Sequence, residues 1–377
     1  MARKALKLLL VISMLLSMTG CWDSLNIDDR DIVTSVVVDY KDGEYTFYVE
    51  VANIMAKQSV QADAGRSASS SVVKGSGKSF AEARLNLDDN LNKPIFLGAV
   101  QALVITKRMA EYGIEEYALR VRQMQEYRKT MDVVVTWDEP EKFLSEEMNN
   151  MPLVGFAIED SLESMKQLGE TFHLSLADLL EKESSRNPCF LLSTISSSGG
   201  QIRITGYTVF CKGKSIGFIP YKESRGIIYI AASDTHPKFD YVVPYEDQRF
   251  TMQVELKSLD ITPHYDGTTP GFDISARFKS NSLYPSSCLA LSSGVRETLE
   301  KWLEQTLCEE IADTLKRSQE FRCDYLTFSQ IFRSRYEDAY DKMYWKDEFP
   351  KAWFSVNVNV EILDNDTIDY NPRGLGE

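Results

Sequence analysis

The alternation of apolar and polar residues begins early in the chain. Ile32-Val33 and Val36-Val37-Val38 precede Lys41-Asp42-Gly43-Glu44, and Tyr45, Phe47, Val49 and Val51 then alternate with polar neighbours. This pattern predicts two strands, and Asp42-Gly43 is a strong hairpin turn signal. Residues 57–79 are polar, small and Ser-rich, as expected of a mobile loop or a loosely held edge strand. Phe80, Ala83, Leu87 and Leu91 recur at helical spacing. Ala99-Val100 with Leu103-Val104-Ile105 predicts a buried strand, Met109 to Met124 a charged amphipathic helix, and Val133-Val134-Val135 a further strand.

Asp138-Glu139-Pro140 marks a boundary, after which residues 141–185 read as mostly helical and acidic. Two short strands follow around Gly213, in TGYTVFCKG and KSIGFIP, then a helix or strand through Gly226 to Ile230, and residues 232–246 read as a linker. The clearest alternation comes last. Phe250, Met252, Val254 and Leu256 form one strand face, and Phe272, Ile274, Ala276 and Phe278 another. In the final strand Val356, Val358 and Val360 are expected to face a core, with Asn357 and Asn359 facing water. Between them, Leu299, Leu303, Leu307, Ile311 and Leu315 make a helical stripe beside Trp302, and Phe328 to Tyr344 predicts a second helix.

The expected fold class is therefore α+β, built on mostly antiparallel sheets with flanking helices. The expected organisation is a leader over 1–20 and three domains over 21–145, 146–232 and 233–377, the last an antiparallel sheet with long helices.

The first twenty residues obey a different pattern. Arg3, Lys4 and Lys7 lead into the apolar run Leu8 to Leu16. Nine helical residues span about 14 Å, well short of the roughly 30 Å core of a bilayer. A basic head, a short apolar middle and small residues at its end read as a secretory signal peptide. Thr19-Gly20-Cys21 resembles the lipobox of bacterial lipoproteins, with Met18 where Leu is usual. The resemblance implies cleavage between Gly20 and Cys21 and a diacylglycerol on the Cys21 sulfur. Two acyl chains hold a protein stably at a membrane where one does not.

Charge sharpens this reading. The full chain carries −14, and loss of the three leader cations takes it to near −17. Such a surface repels nucleic acid and anionic headgroups, so membrane contact has to come from the lipid. Later cysteines are Cys189, Cys211, Cys288, Cys308 and Cys323, odd in number and without a CxxC. They read as buried small side chains, and a disulfide among them is left open.

Candidate chemistry is sparse. Gly75-Ser76-Gly77-Lys78-Ser79 resembles the end of a phosphate-binding loop, but Val72 stands where the first glycine belongs. His173, His236 and His264 are not at metal-ligand spacing, and no GxSxG occurs. The acidic residues Asp160, Glu163 and Glu170 fit a solvated helix face. The expectation is no catalytic residue, no metal, no cofactor and no enzyme.

Four segments then point to one family. CWDSLNIDDRDIVTSVVVD (Cys21 to Asp39) resembles the mature start of the Ger(x)C spore germination lipoproteins, with Asn26 where Glu is usual. Gly98 to Ile105 followed by Met109-Ala110-Glu111-Tyr112-Gly113-Ile114 is similar to the family's strand and helix start. Gly206 to Gly226 resembles its mid-chain stretch, and Phe332 to Ile362 its C-terminal signature, looser at Trp345-Lys346 and Phe349-Pro350. The resemblance implies three α+β domains without a recognised catalytic site. It also implies a non-catalytic subunit of a nutrient germinant receptor, on the outer face of the inner spore membrane, with two membrane subunits as partners, one of them permease-like. It carries over no ligand-binding residue. The helix over Met109 to Met124, with Arg120 and Arg122, and the loop over Lys57 to Ser79 are the candidate partner contacts. The alternative is a lipid-anchored solute-binding protein of a transporter, which would show two similar lobes with parallel βαβ runs around a cleft.

Overall fold

The computed structural model describes residues 27–53, 69–149, 151–284 and 293–363. Cys21, Gly20, Cys288 and most of the 57–79 segment lie outside these residues.

The chain begins with the hairpin β1 (Asp31–Lys41) and β2 (Glu44–Asn53), joined through Asp42 and Gly43, both at positive φ (54° and 87°). That is the turn the Asp-Gly pair favours. There follow β3 (Ser69–Gly77), α1 (Phe80–Asp89), β4 (Ile95–Phe96), β5 (Ala102–Thr106), α2 (Lys107–Tyr112), α3 (Glu115–Gln123) and β6 (Asp132–Thr136). Next come α4 (Pro140–Ser145), α5 (Val154–Gln167), β7 (Leu174–Ser175), α6 (Leu176–Glu183), β8 (Cys189–Ser198), β9 (Gln201–Cys211), β10 (Lys214–Pro220) and α7 (Arg225–Ala231). The last third holds β11 (Lys238–Tyr245), β12 (Gln248–Tyr265), β13 (Pro270–Tyr284), α8 (Ser293–Glu320), α9 (Phe328–Arg335), α10 (Glu337–Lys342), α11 (Trp345–Glu348) and β14 (Trp353–Ile362).

Among the described residues these strands form a ten-stranded mixed sheet and a four-stranded one. The large sheet runs β10-β9-β8-β6-β5-β1-β2-β3, with the short β4 beside β1 and the short β7 beside β6. Its centre, β1, β5, β6 and β8, is parallel, and antiparallel strands flank it on both sides. The centre is read poorly by alternation because both of its faces are covered. Helices α1, α2, α3 and α6 pack on one face, with Phe80, Leu87, Met109, Val121 and Leu179 in the core. Helices α4 and α5 pack on the other, around Phe143, Ile158 and Leu162. The boundary expected near residue 145 falls inside this sheet, since β6 hydrogen-bonds to β8.

Several expectations change. The helix over Met109 to Met124 is two helices, broken at Gly113 (φ 131°), where Ile114 N–H donates to the Gly213 carbonyl (2.7 Å). The segment over Phe328 to Tyr344 likewise divides into α9 and α10. Residues 232–246 are no linker, because most of them form edge strand β11, with Phe239, Tyr241 and Val243 inward. Strand β8 was not anticipated. The Ser-rich segment ends in β3, which pairs with β2 at the edge of the sheet.

The small sheet runs β11-β12-β13-β14, and α8 lies across one face. Strand β14 is parallel to β13, so this sheet is not wholly antiparallel. Its register is the expected one: Asn357 and Asn359 are exposed and Val360 is buried, while Val356 and Val358 are half-buried because β14 is an edge.

Candidate interaction site

A cleft of about 920 Å³ opens where the chain enters the large sheet. Its wall is built from the end of α1, the loop into β4 and the segment after α3, including Arg30, Arg84, Asp88, Lys93, Phe96 and Glu126. Arg84 Nε donates to both Asp88 carboxylate oxygens (2.9 and 3.0 Å), one turn along α1, and its guanidinium lies 3.5 Å from Glu126. Lys93 Nζ donates to the Asp28 carbonyl (2.6 Å) and Lys93 N–H to Asp31 (3.2 Å). The Arg30 guanidinium sits 5.7 Å from the Phe96 ring centre. Lys93 therefore ties one rim of the cleft to the first described residues, a few positions after Cys21.

Arg120 lies below this cleft, half-buried in a narrow pocket with Arg84, Leu87, Leu97 and Tyr127. Its charge faces the buried phenols of Tyr117 and Tyr127, 3.4 Å apart, both of which burial pushes up. Arg122 stands elsewhere. Its Nη2 donates to the Leu180 carbonyl (2.6 Å) and to the Ser184 hydroxyl, satisfying the C-terminal end of α6. Arg122 thus has a packing role of its own, and reversing its charge would disturb α6 as well as any partner. The sequence did not point to the cleft residues Arg30, Arg84 and Lys93, because their juxtaposition depends on the α1–β4 loop folding back.

The glycines of the phosphate-loop look-alike have a structural explanation. A Cβ on Gly75 would stand 2.2 Å from Leu87 N, and one on Gly77 2.6 Å from Ala83 N, so both let α1 lie tightly on β3. Ser79 caps α1 by accepting from Glu82 N–H (3.2 Å), and the Glu82 carboxylate accepts from Lys78 N–H (2.8 Å). The three histidines lie apart. His173 is 3.3 Å from Asp132, His264 is 2.7 Å from Asp273, and His236 Nδ1 is 3.1 Å from the Leu256 carbonyl. Cys189, Cys211 and Cys323, scattered in the sequence, do meet, because β8 pairs Cys189 with Cys211 and the chain leaving α8 brings in Cys323. Cys308 stays apart, with its sulfur 3.7 Å from the Val356 carbonyl.

Comparison with known proteins agrees with this architecture. Residues 23–197 match the spore germination protein N-terminal domain, and residues 205–365 match the spore germination B3/GerAC-like C-terminal domain. The chain belongs to the Ger(x)C family of spore germination proteins and is a GerC-type subunit. It is 23% identical to spore germination protein YndF of Bacillus subtilis (strain 168) over 412 residues, covering 96% of each chain. It is 19% identical to spore germination protein KC of the same organism, covering 96% of this chain and 95% of that one. The crystal structure of the GerBC protein superposes with a TM-score of 0.55 at 13% identity, over 87% of this chain and 97% of that one. That likeness shows the fold. The solute-binding alternative is not favoured, and the two sheets are unlike in size, topology and cover. Among the described residues no helix is long and apolar enough to cross a membrane.

Proposed function

We propose that this chain is a non-catalytic, lipid-anchored subunit of a nutrient germinant receptor. Cys21 carries the lipid after cleavage at Gly20, and the protein is held on the extracytoplasmic face of the inner spore membrane. It acts through contacts with two membrane subunits, one permease-like, in receptor assembly or signalling. The observation that carries this reading is the position of the cleft. Ile27 stands six positions after Cys21, so a lipid at Cys21 would lie within roughly 20 Å of the first described residue, on the side Lys93 ties down. The rim with Arg30, Arg84 and Lys93 then faces the membrane subunits, and α3 with Arg120 and the exposed Leu119 flanks it.

The test is Cys21→Ala. Mass spectrometry of the wild-type mature N-terminus is expected to find a lipid-modified Cys21. The variant is expected to stay unprocessed or to leave the membrane fraction, with germination through this receptor reduced. An unmodified N-terminus at another residue would end the anchoring role. For assembly, Arg30→Glu is the sharper probe than Arg122→Glu. It is expected to lower the membrane subunits' level in spores while the purified chain melts as before, and normal levels with lost germination would point instead to signalling.

A further inference from the structure

We propose that Cys189, Cys211 and Cys323 form a three-thiolate site for a thiophilic d10 ion of the Zn2+ class, clamping the large sheet to the C-terminal half. Their sulfurs all lie within 4.8 Å of one another. Three sulfurs each about 2.3 Å from one zinc ion would be about 4 Å apart or slightly less, so small rotamer shifts suffice. Soft sulfur donors select ions of this kind over Mg2+ or Ca2+.

The cluster is held from both sides. Cys189 and Cys211 face each other where β8 and β9 pair, so their Cα positions are fixed by the ladder. Cys323 follows α8, and its sulfur points at the Phe210 carbonyl (3.4 Å) on β9. The next residue, Asp324, is buried and works as a bolt. Its carboxylate accepts from Phe328 N–H (2.8 Å), Ser329 N–H (2.7 Å) and Trp345 Nε1 (2.9 Å), and its carbonyl from Asn187 Nδ2 (3.3 Å). Cys323 cannot drift far while that network stands. Such preorganisation is what a metal site requires of its ligands.

The electrostatics fit the same occupant. Binding releases protons, since each ligand has to be a thiolate. Three thiolates on a divalent ion leave one net negative charge. The cleft over the cluster is lined by Arg186, Lys212, Arg322 and Lys346, which would balance it. Cys189 and Cys211 line the cleft, and of the three Cys211 is the half-buried one while Cys189 and Cys323 are buried. An ion would therefore enter beside Cys211 and keep its fourth position for water or a small anion on that side.

The test uses the full chain, purified in detergent with its thiols reduced and then freed of reductant. Titration with Co2+ is expected to raise a thiolate-to-cobalt charge-transfer band that saturates at one ion per chain and is displaced by Zn2+. Cys211→Ser and Cys323→Ser are expected to weaken binding more than tenfold, and Cys308→Ser to leave it unchanged. A second arm needs no substitution. In the wild-type chain, Zn2+ is expected to protect Cys189, Cys211 and Cys323 from N-ethylmaleimide, read by peptide mass spectrometry, while Cys308 reacts equally with and without it. No saturable band, equal alkylation of the three with and without Zn2+, or a native Cys189–Cys211 disulfide in protein from spores would each overturn the proposal.

Discussion

The two sheets are covered differently, and most of what is particular to each follows from that. The large sheet has helices on both faces, so its central strands are buried throughout: every residue of β5 and of β6 is buried. The small sheet has α8 on one face and largely polar residues on the other, including the pairs Lys257–Glu255 (2.6 Å) and Lys279–Glu361 (3.8 Å). A doubly covered sheet has no wet side on which to place a charge, so every polar group inside it needs a designated partner. A singly covered sheet can put charge on its outer face at little cost.

Glu50 tests this contrast most severely. It sits on β2, fully buried, and its carboxylate accepts from Val154 N–H (2.7 Å) and Gly155 N–H (3.0 Å) at the start of α5. Thr34 (2.7 Å) and Ser35 (3.2 Å) hydroxyls complete the set. An anion at a helix N-terminus meets two unsatisfied amides and the positive end of the helix dipole. Glu50→Ala would leave those donors buried and unpaired, costing about 3–5 kcal/mol. Denaturant melts of this variant beside Glu361→Ala, on the open face of the small sheet, are expected to separate by most of that amount. Equal losses would dissolve the distinction between the sheets.

The same difference explains what could be read from sequence. The small sheet was legible because one wet face enforces period two, and the residues expected inward in β12, β13 and β14 are the buried or half-buried ones. The centre of the large sheet was legible only as apolar runs, and its parallel order was not, because a run buried on both sides carries no face. Strand β8 carries no clear strand pattern, because Cys189 to Leu192 passes straight into a serine-rich tail. Residues 232–246 read as a linker, yet β11 within them is an edge strand, where Pro244 is tolerated. The single helix expected over Met109 to Met124 breaks at Gly113, whose positive φ the helical spacing alone does not reveal. The thiol cluster could not have been found this way, because it depends on the β8–β9 register and on where α8 ends.

Asp132 gives a second, smaller test, in pH. It lies at the start of β6, buried beneath the far end of α5, and its carboxyl is pushed up to about 7, first by burial and then by Glu159 and Glu163. Unfolded, it would titrate near 4. Below about pH 4 both states hold the proton. Between about 4 and 7 the folded chain keeps a proton that the unfolded chain has released, so stability falls as pH rises through that window. His173, 3.3 Å away, is held below its usual value by burial and acts oppositely near pH 6.5. Asp132→Asn is expected to flatten the fall, with a gain of the order of 2 kcal/mol at pH 7 and none at pH 4. Parallel profiles for variant and wild type would show that Asp132 ionises as freely as a surface acid.

The finest test lies on β14, where one strand has both kinds of environment. Val358 faces α8 but is only half-buried, because β14 is the sheet edge. A charge there loses apolar contact yet can still reach water, so Val358→Asp is expected to cost about 1–2 kcal/mol, less than at a fully enclosed valine such as Val254. Asn357 is exposed on the open face, and Asn357→Asp is expected to change stability by about half a kcal/mol or less. The two positions are adjacent in sequence and share a backbone ladder with Ser275 and Ala276 of β13, so any general weakening of the edge affects both alike. Denaturant melts read the difference between them, and that difference measures the face alone. If Asn357→Asp proved the more damaging, the outer face of this sheet would have a cover of its own, and the small sheet would resemble the large one after all.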